Sequence, residues 1–302
     1  MARGNSPTDS NSLVQESLDR RLALVEKAFG GSEALVIHGP LTYGVDDFVR
    51  RSIEYRRHGR TEKGHLVALV TTPGGFIETV QRIVETLRQL YDHIDFVVPN
   101  YAYSAGTVLV MAGDAIHMDY YARLGPIDPQ VNSRNGQSVS ALGYLEKYQS
   151  LLEKGVQGGL SQIEAALLIN GFDQGELSRY EHERDQSIAL LKKWLATYKF
   201  KNWVETRTRH LPVDARMREE RAAEIAAVLN DIKRWHVHGQ GIPMAVLQNE
   251  LNLIIDDFAA DPKRRTAIQG YHDLLVDYLA TSGAAAVVHV KGRYMPYKVW
   301  EG

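Results

Sequence analysis

Two glycine-bearing turns offer side chains and backbone groups that could carry out chemistry together. Residues 72–75 (TPGG) follow the apolar run 66–70, and residues 103–106 (YSAG) follow the apolar run 96–98. If both runs are strands of a parallel sheet, the turns after them lie at the same carboxyl edge, where ligands bind. The spacing therefore predicts that Ser104 and the glycine turn border one site.

Ser104 is the candidate nucleophile of this site. The segment that follows it, AGTVLVMAG, is small or apolar almost throughout, which predicts a buried helix beginning directly after the serine. Free N–H groups at the beginning of a helix stabilise negative charge. Acyl transfer also needs donors directed at the tetrahedral oxyanion, and we expect Gly75 and Ala105 to supply them. The competing interpretation is that such turns serve only chain reversal or close packing.

The motifs around these turns resemble a known family. TTPGG, followed by PNYAYSAGTVLVMAGDAIHMDYYARLGPIDPQ, is similar to the signature of the serine dehydrogenase proteinases, which belong with the Clp protease proteolytic subunit and signal peptide peptidase A. The resemblance covers residues 66–131 most clearly and extends over about 33–200. It implies an α/β fold of ClpP/crotonase-like stacked βα units, a serine peptidase with Ser104 as nucleophile, an oxyanion site at Gly74 and Gly75, and homo-oligomeric rings.

The general base is the open part of this interpretation. Clp proteases carry a histidine at the turn after the strand that follows the serine helix, but this sequence has GPIDPQ at residues 125–130. Signal peptide peptidase A and its relatives use a lysine beyond that turn, and the lysines in this region are Lys147 and Lys154. The resemblance favours Lys147, and hence a Ser-Lys dyad. A lysine base requires burial that lowers its pKa.

Other interpretations of these residues stay open. Lys147 could be a solvated helix residue paired with Glu146. His117, within DAIHMD, could replace the missing histidine or be a buried structural residue. Asp128 could cap its own turn or orient a base.

The elements that position these residues follow from periodicity. Short apolar runs at 34–37, 66–70 and 96–98 alternate with helical patterns at 45–57 and 77–90, which indicates βα units and a mostly parallel sheet. Helical patterns dominate beyond residue 131, and a strand-like AAAVVHV run begins at 284. We predict an N-terminal helical extension (1–30), a ClpP/crotonase-like core (31–210) and a mostly helical C-terminal region (211–302).

Composition limits the remaining function classes. The 35 basic residues nearly balance the 37 acidic ones, so no nucleic-acid partner is predicted. Cysteine is absent, which excludes disulfides, thiolate zinc sites and cysteine catalysis. With no leader-like or membrane-spanning apolar stretch, a cytoplasmic location is expected. The histidines at 210, 236 and 238 and the group at 181–183 lack recognisable zinc spacing, so neither a metal nor a cofactor is expected. Two rivals to a peptidase acting on peptide or protein substrates are a crotonase-like acyl-CoA enzyme and a non-catalytic ClpP-like assembly subunit.

Overall fold

The computed structural model describes residues 9–127, 130–132, 138–235 and 241–298. Its α-helices are α1 (Ser10–Ala28), α2 (Val45–Arg56), α3 (Ile77–Leu90), α4 (Ala105–Met111), α5 (Ala141–Val156), α6 (Gln162–Asn170), α7 (Gln174–Trp194), α8 (Ala215–Leu229), α9 (Ile232–Trp235), α10 (Met244–Asn249) and α11 (Pro262–Ser282). A π-helical turn, Leu195–Lys199, continues α7, and a short 3-10 turn, Phe258–Ala260, precedes α11.

The strands are β1 (Glu33–His38), β2 (Gly64–Thr71), β3 (Tyr91–Val97), β4 (Tyr101–Ala102), β5 (Ala115–Met118), β6 (Arg123–Leu124), β7 (Gln130–Asn132), β8 (Ser138–Ser140), β9 (Ile242–Pro243), β10 (Asp256–Asp257), β11 (Ala286–Val290) and β12 (Arg293–Tyr297). Seven of them form the main sheet in the order β10-β5-β3-β2-β1-β11-β12. The pairs from β10 to β1 are parallel, whereas β11 runs antiparallel to β1 and β12. The predicted, mostly parallel α/β fold is confirmed.

The sheet separates two apolar cores because successive side chains of a strand point to opposite faces. Along β2, Leu66, Ala68 and Val70 join the core formed with α2, α3, α4, α7 and α8, while Val67 and Leu69 join the core formed with α1 and α11. We call these the α4 face and the α11 face. Helix α4 is buried at every position, as its composition predicted.

A smaller three-stranded sheet extends the carboxyl edge of the main one. Its order is β4-β6-β9, with β4 and β6 parallel, and a single bridge joins Thr72 to Ala102. A second bridge joins Leu41 to Gly75. The loops after β1, β2 and β4 are therefore tied to one another at the edge where the site was predicted.

The C-terminal region contributes directly to this architecture. Strands β10, β11 and β12 belong to the main sheet, and α11 packs along α1. The division of the chain at residues 30 and 210 stays a prediction about domain organisation. Among the residues that the structure describes, none of the helices combines the length and apolarity needed to cross a lipid bilayer.

Candidate active site

Ser104 lies at the turn between β4 and α4, in an unusual backbone conformation. Its φ of 52° and ψ of −123° make it one of three non-glycine residues with positive φ in the described part of the chain. Such a conformation costs about 1–3 kcal/mol and persists only when the surroundings impose it. A strained strand-to-helix turn is the way in which α/β-hydrolases expose a nucleophilic serine. Ser104 is half-buried here.

Three close contacts impose the turn. A Cβ added at Gly106 would lie 2.4 Å from Cγ2 of Thr72, so α4 begins in contact with the loop after β2. The buried Thr107 hydroxyl lies 2.8 Å from the Ala102 carbonyl oxygen and 2.9 Å from that of Gly125, and it accepts the Gly125 N–H. Thr107 thereby connects α4 to β4 and to the residue after β6. Sequence reasoning did not identify Thr107, because a lone threonine after the serine motif carries no distinguishing signal.

The glycine turn packs directly against Ser104. Gly74 has a φ of 107° and Gly75 a φ of 151°. A Cβ at position 74 would lie 2.9 Å from the Ser104 Cβ and 2.8 Å from the Tyr103 carbonyl oxygen. Both the backbone conformation and the available space therefore require glycine at position 74.

The N–H groups of this turn differ in availability. The Gly74 N–H donates to Thr72 Oγ1 at 3.0 Å, so it is already used within the loop. The Leu41 N–H donates to the Gly74 carbonyl oxygen, and the Phe76 N–H donates to that of Leu41. These bonds fix the loop but leave the Gly75 N–H without a partner among the described residues. The Ala105 N–H, at the first position of α4, is free in the same sense. The two predicted donors are thus available. Gly74 does not act as a donor, but its lack of a Cβ lets the turn pack against Ser104.

The predicted lysines lie on the exposed surface of another helix. Lys147 and Lys154 both belong to α5, which packs on α6 and α7. The Lys147 side chain is exposed, and the Lys154 ammonium forms a 2.8 Å ion pair with Glu164. Neither lysine hydrogen-bonds to Ser104 in the described part of the chain. The burial that would turn a lysine into a base is absent at both positions.

His117 lies on the other side of the sheet from the serine helix. It is 3% exposed, and its ring contacts Phe29 edge-on at 5.1 Å, on the α11 face. Ala105 and the rest of α4 pack on the opposite face. The surroundings of His117 therefore match the structural interpretation of this histidine.

The remaining candidates are either outside the described residues or exposed. Asp128, His236 and His238 lie outside the described residues. His210 is exposed and pairs with Glu205 at 2.5 Å. Glu181 and His182 are exposed on α7.

Aromatic side chains form one wall beside the serine. Tyr101 and Tyr103 stack with ring centroids 5.1 Å apart, and a Cβ at Gly125 would lie 2.8 Å from the Tyr103 ring. Burial raises the pKa of Tyr103, so its hydroxyl stays protonated at neutral pH. The two tyrosines therefore place uncharged aromatic surface beside the candidate nucleophile.

Comparison with known proteins agrees with this geometry. Two uncharacterized proteins of Methanocaldococcus jannaschii are similar to the chain: one is 37% identical over 71 residues (24% of this chain, 25% of the relative), and the other is 33% identical over 86 residues (28% of each). The alignments thus span about a quarter of each relative. Residues 53–151 match the family described as ClpP-like SDH-type serine proteinase. This match includes the glycine turn, Ser104 and Lys147. The likeness to this family is therefore carried by residues 53–151, about a third of the chain.

Proposed function

We propose that the protein is a serine endopeptidase that hydrolyses peptide bonds through an acyl-enzyme at Ser104. The observation that carries the proposal is the strained Ser104 turn packed against Gly74, where the Gly75 and Ala105 N–H groups have no partner within the described residues. Such donors stabilise charge that develops on the substrate oxygen in the transition state. The family match supports the same chemistry.

In the proposed reaction, Ser104 Oγ attacks the carbonyl carbon of the scissile peptide. The π electrons move to the carbonyl oxygen, and this oxyanion accepts hydrogen bonds from Gly75 and Ala105. A base takes the hydroxyl proton and delivers it to the leaving amine, so that the C–N bond breaks and an ester to Ser104 remains. Water, deprotonated by the same base, then hydrolyses the ester. Lys147 is the predicted base.

An activity-based probe tests the nucleophile. A fluorophosphonate should label the wild-type protein on Ser104, because only an activated serine beside oxyanion donors reacts readily. Ser104→Ala should abolish labelling, whereas Ser150→Ala, which changes an exposed serine of α5, should not. In-gel fluorescence and mass spectrometry of the labelled peptide measure both. Undiminished labelling of Ser104→Ala would contradict the assignment.

A second candidate function has one specific observation in its favour. Because Lys147 is exposed and Lys154 is paired with Glu164, the described part of the chain supplies no buried lysine beside Ser104. This is expected for a non-catalytic assembly subunit that keeps the fold without a base. Complete absence of probe labelling in a folded, oligomeric wild-type protein would favour this candidate.

The proposal includes a homo-oligomer, since the family resemblance implies rings. Assembly would also provide a way to bury α5. Light scattering at micromolar concentration should give a mass that is a multiple of the chain mass of 33.9 kDa. A monomeric mass would contradict this part.

A further inference from the structure

Three side chains that commonly bind metals converge on the α11 face of the sheet, away from Ser104. His65 on β2 is paired in register with His93 on β3, and Asp95 lies two residues further along β3 on the same face. His65 Nε2 is 3.0 Å from Asp95 Oδ2, and His93 Nε2 is 2.9 Å from Asp95 Oδ1. One ligand atom from each residue can be chosen so that all three lie within 4.8 Å of one another.

These distances suit a single ion. Zinc binds imidazole nitrogen and carboxylate oxygen at about 2.0–2.2 Å, so its ligands lie roughly 3–3.5 Å from one another. The two nitrogen-to-oxygen distances are already at or just below this range. An ion between the groups would replace the two N–H···O contacts with coordinate bonds, and the two imidazole nitrogens, which lie within 4.8 Å of each other, would adjust to its geometry.

The cluster combines a buried anion with accessible imidazoles. The Asp95 side chain is 9% exposed, whereas those of His65 and His93 are 39% and 41% exposed. An ion can therefore reach the imidazoles from solvent and neutralise a carboxylate that is otherwise shielded from water. His65 also lines a cleft of about 620 Å³ at this end of the sheet. Three protein ligands would leave a coordination position for water on the open side.

A fourth side chain, His117, contacts the cluster from its buried side. Only 3% of His117 is exposed. Its Nε2 lies 3.5 Å from Asp95 Oδ2, and its Nδ1 lies 3.8 Å from Asp256 Oδ2, so each ring nitrogen faces a carboxylate. A histidine between a metal-binding carboxylate and a second carboxylate is the kind of outer partner that orients ligands in metal sites.

Charges of both signs surround the cluster. Asp95 and Asp256 face His117, Lys199 lies close to both carboxylates, and the cleft beside His65 is lined by Arg57, Arg60 and Lys63. The Asp95 carboxylate, inside the cluster, supplies the negative charge that a bound ion would neutralise.

We propose that His65, His93 and Asp95 bind one divalent transition-metal ion of the zinc type, with His117 as the buried partner of Asp95. Two imidazole nitrogens select zinc, cobalt or nickel over magnesium and calcium, which prefer oxygen ligands. Because the ligands come from two adjacent strands, the ion joins β2 to β3 near their amino-terminal ends. The site lies on the face opposite the serine helix, so the inference does not depend on the proposed peptidase activity.

The test is metal titration of the full-length chain after treatment with a chelator. Zn²⁺ added during isothermal titration calorimetry should saturate at one ion per chain, and Co²⁺ should give visible d–d absorption at the same stoichiometry. His65→Gln and His93→Gln should each weaken binding by more than about 100-fold, the upper end of the loss caused by removing an outer partner. His58→Gln, which changes an exposed histidine elsewhere, is the matched control and should bind like the wild type.

Two results would overturn the proposal. One is the absence of saturable binding by folded wild-type protein, with Mg²⁺ and Zn²⁺ behaving alike. The other is unchanged zinc affinity in both His65→Gln and His93→Gln, which would mean that these histidines only hydrogen-bond to Asp95. Asp95→Asn gives a third measurement, and circular dichroism establishes that each variant is folded. Ser104→Ala should bind zinc normally, which separates this test from that of the nucleophile.

Discussion

At the scale of single residues, the conformation of Ser104 is imposed by its neighbours. A serine gains nothing from a φ of 52°, and about 1–3 kcal/mol must be supplied by surrounding contacts. Thr72, Gly106 and Thr107 supply these contacts by connecting the beginning of α4 to two loops. The proposed nucleophile is therefore positioned before any substrate arrives, as oxyanion chemistry requires.

Gly75 provides the sharpest residue-scale test of the oxyanion site. Gly75→Ala places a Cβ 2.4 Å from the Leu41 carbonyl oxygen and forces a side chain onto a φ of 151°, so the donor must move. Fluorophosphonate labelling should fall by about 100-fold or more, the usual effect of losing one oxyanion donor. Gly143→Ala, in open space on α5, should label normally. Full labelling of a folded Gly75→Ala protein would show that this N–H is not used.

The base prediction belongs to the same scale. If Lys147 accepts the proton of Ser104, Lys147→Ala should leave folding and oligomer size intact and reduce labelling by at least roughly 100-fold. Lys147→Arg should not restore it, because a guanidinium stays protonated. If Lys147→Ala labels normally while Lys154→Ala or His117→Ala does not, the base is the residue whose loss abolishes labelling. Normal labelling of all three variants would contradict a base at any of these positions.

At the scale of elements, a buried ion pair holds the amino-terminal ends of β1 and β3 against the end of α2. Glu33 Oε1 lies 3.1 Å from Arg57 Nη1, and Tyr91 donates to Oε2 at 2.6 Å. Arg57 is only 7% exposed, and the Glu33 carboxylate compensates its buried charge. These contacts lie at the edge of the sheet opposite the one that carries Ser104.

Glu33→Gln should therefore destabilise the protein strongly. Removing one partner of a buried pair leaves the other charge uncompensated, which costs about 3–5 kcal/mol. Glu54→Gln, which breaks an exposed pair with Arg50, should cost about 1 kcal/mol or less. Urea unfolding followed by circular dichroism measures both differences. Equal effects of the two substitutions would contradict the importance assigned to Glu33.

At the scale of the whole molecule, two histidines distant in sequence link α11 to the sheet. His38 ends β1 and His272 lies on α11, with ring centroids 6.2 Å apart. Burial, together with the neighbouring His272, lowers the pKa of His38 to about 4. Burial lowers the pKa of His272 as well. The native protein therefore keeps both imidazoles neutral at pH values where the unfolded chain would protonate them.

The free energy of unfolding should consequently fall as the pH decreases. Between the unfolded pKa of about 6.5 and the folded value of about 4, the unfolded state binds more protons, so acidification favours it. The contribution of His38 is at most about 3 kcal/mol. Urea unfolding at pH 7, 6 and 5 should give a shallower pH dependence for His38→Gln than for the wild type. The exposed control His58→Gln should keep the wild-type dependence, and an unchanged slope in His38→Gln would contradict the explanation.

The sequence alone determined the local elements and the candidate nucleophile. The apolar runs predicted β1, β2 and β3, the periodicity predicted α3, and the composition predicted a buried α4, because burial and hydrogen bonding leave a periodic record along the chain. Ser104 and the glycine turn were identified for the same reason, since their chemistry depends on residues close in sequence.

Only the tertiary structure decided the relations between distant residues. It placed Lys147 on an exposed helix surface and His117 on the face opposite Ser104, and it used the Gly74 N–H within its own loop. It also brought His65 together with His93 and Asp95, and it joined β11 to β1. None of these relations leaves a local pattern, because each depends on which strands become neighbours and which face each side chain occupies.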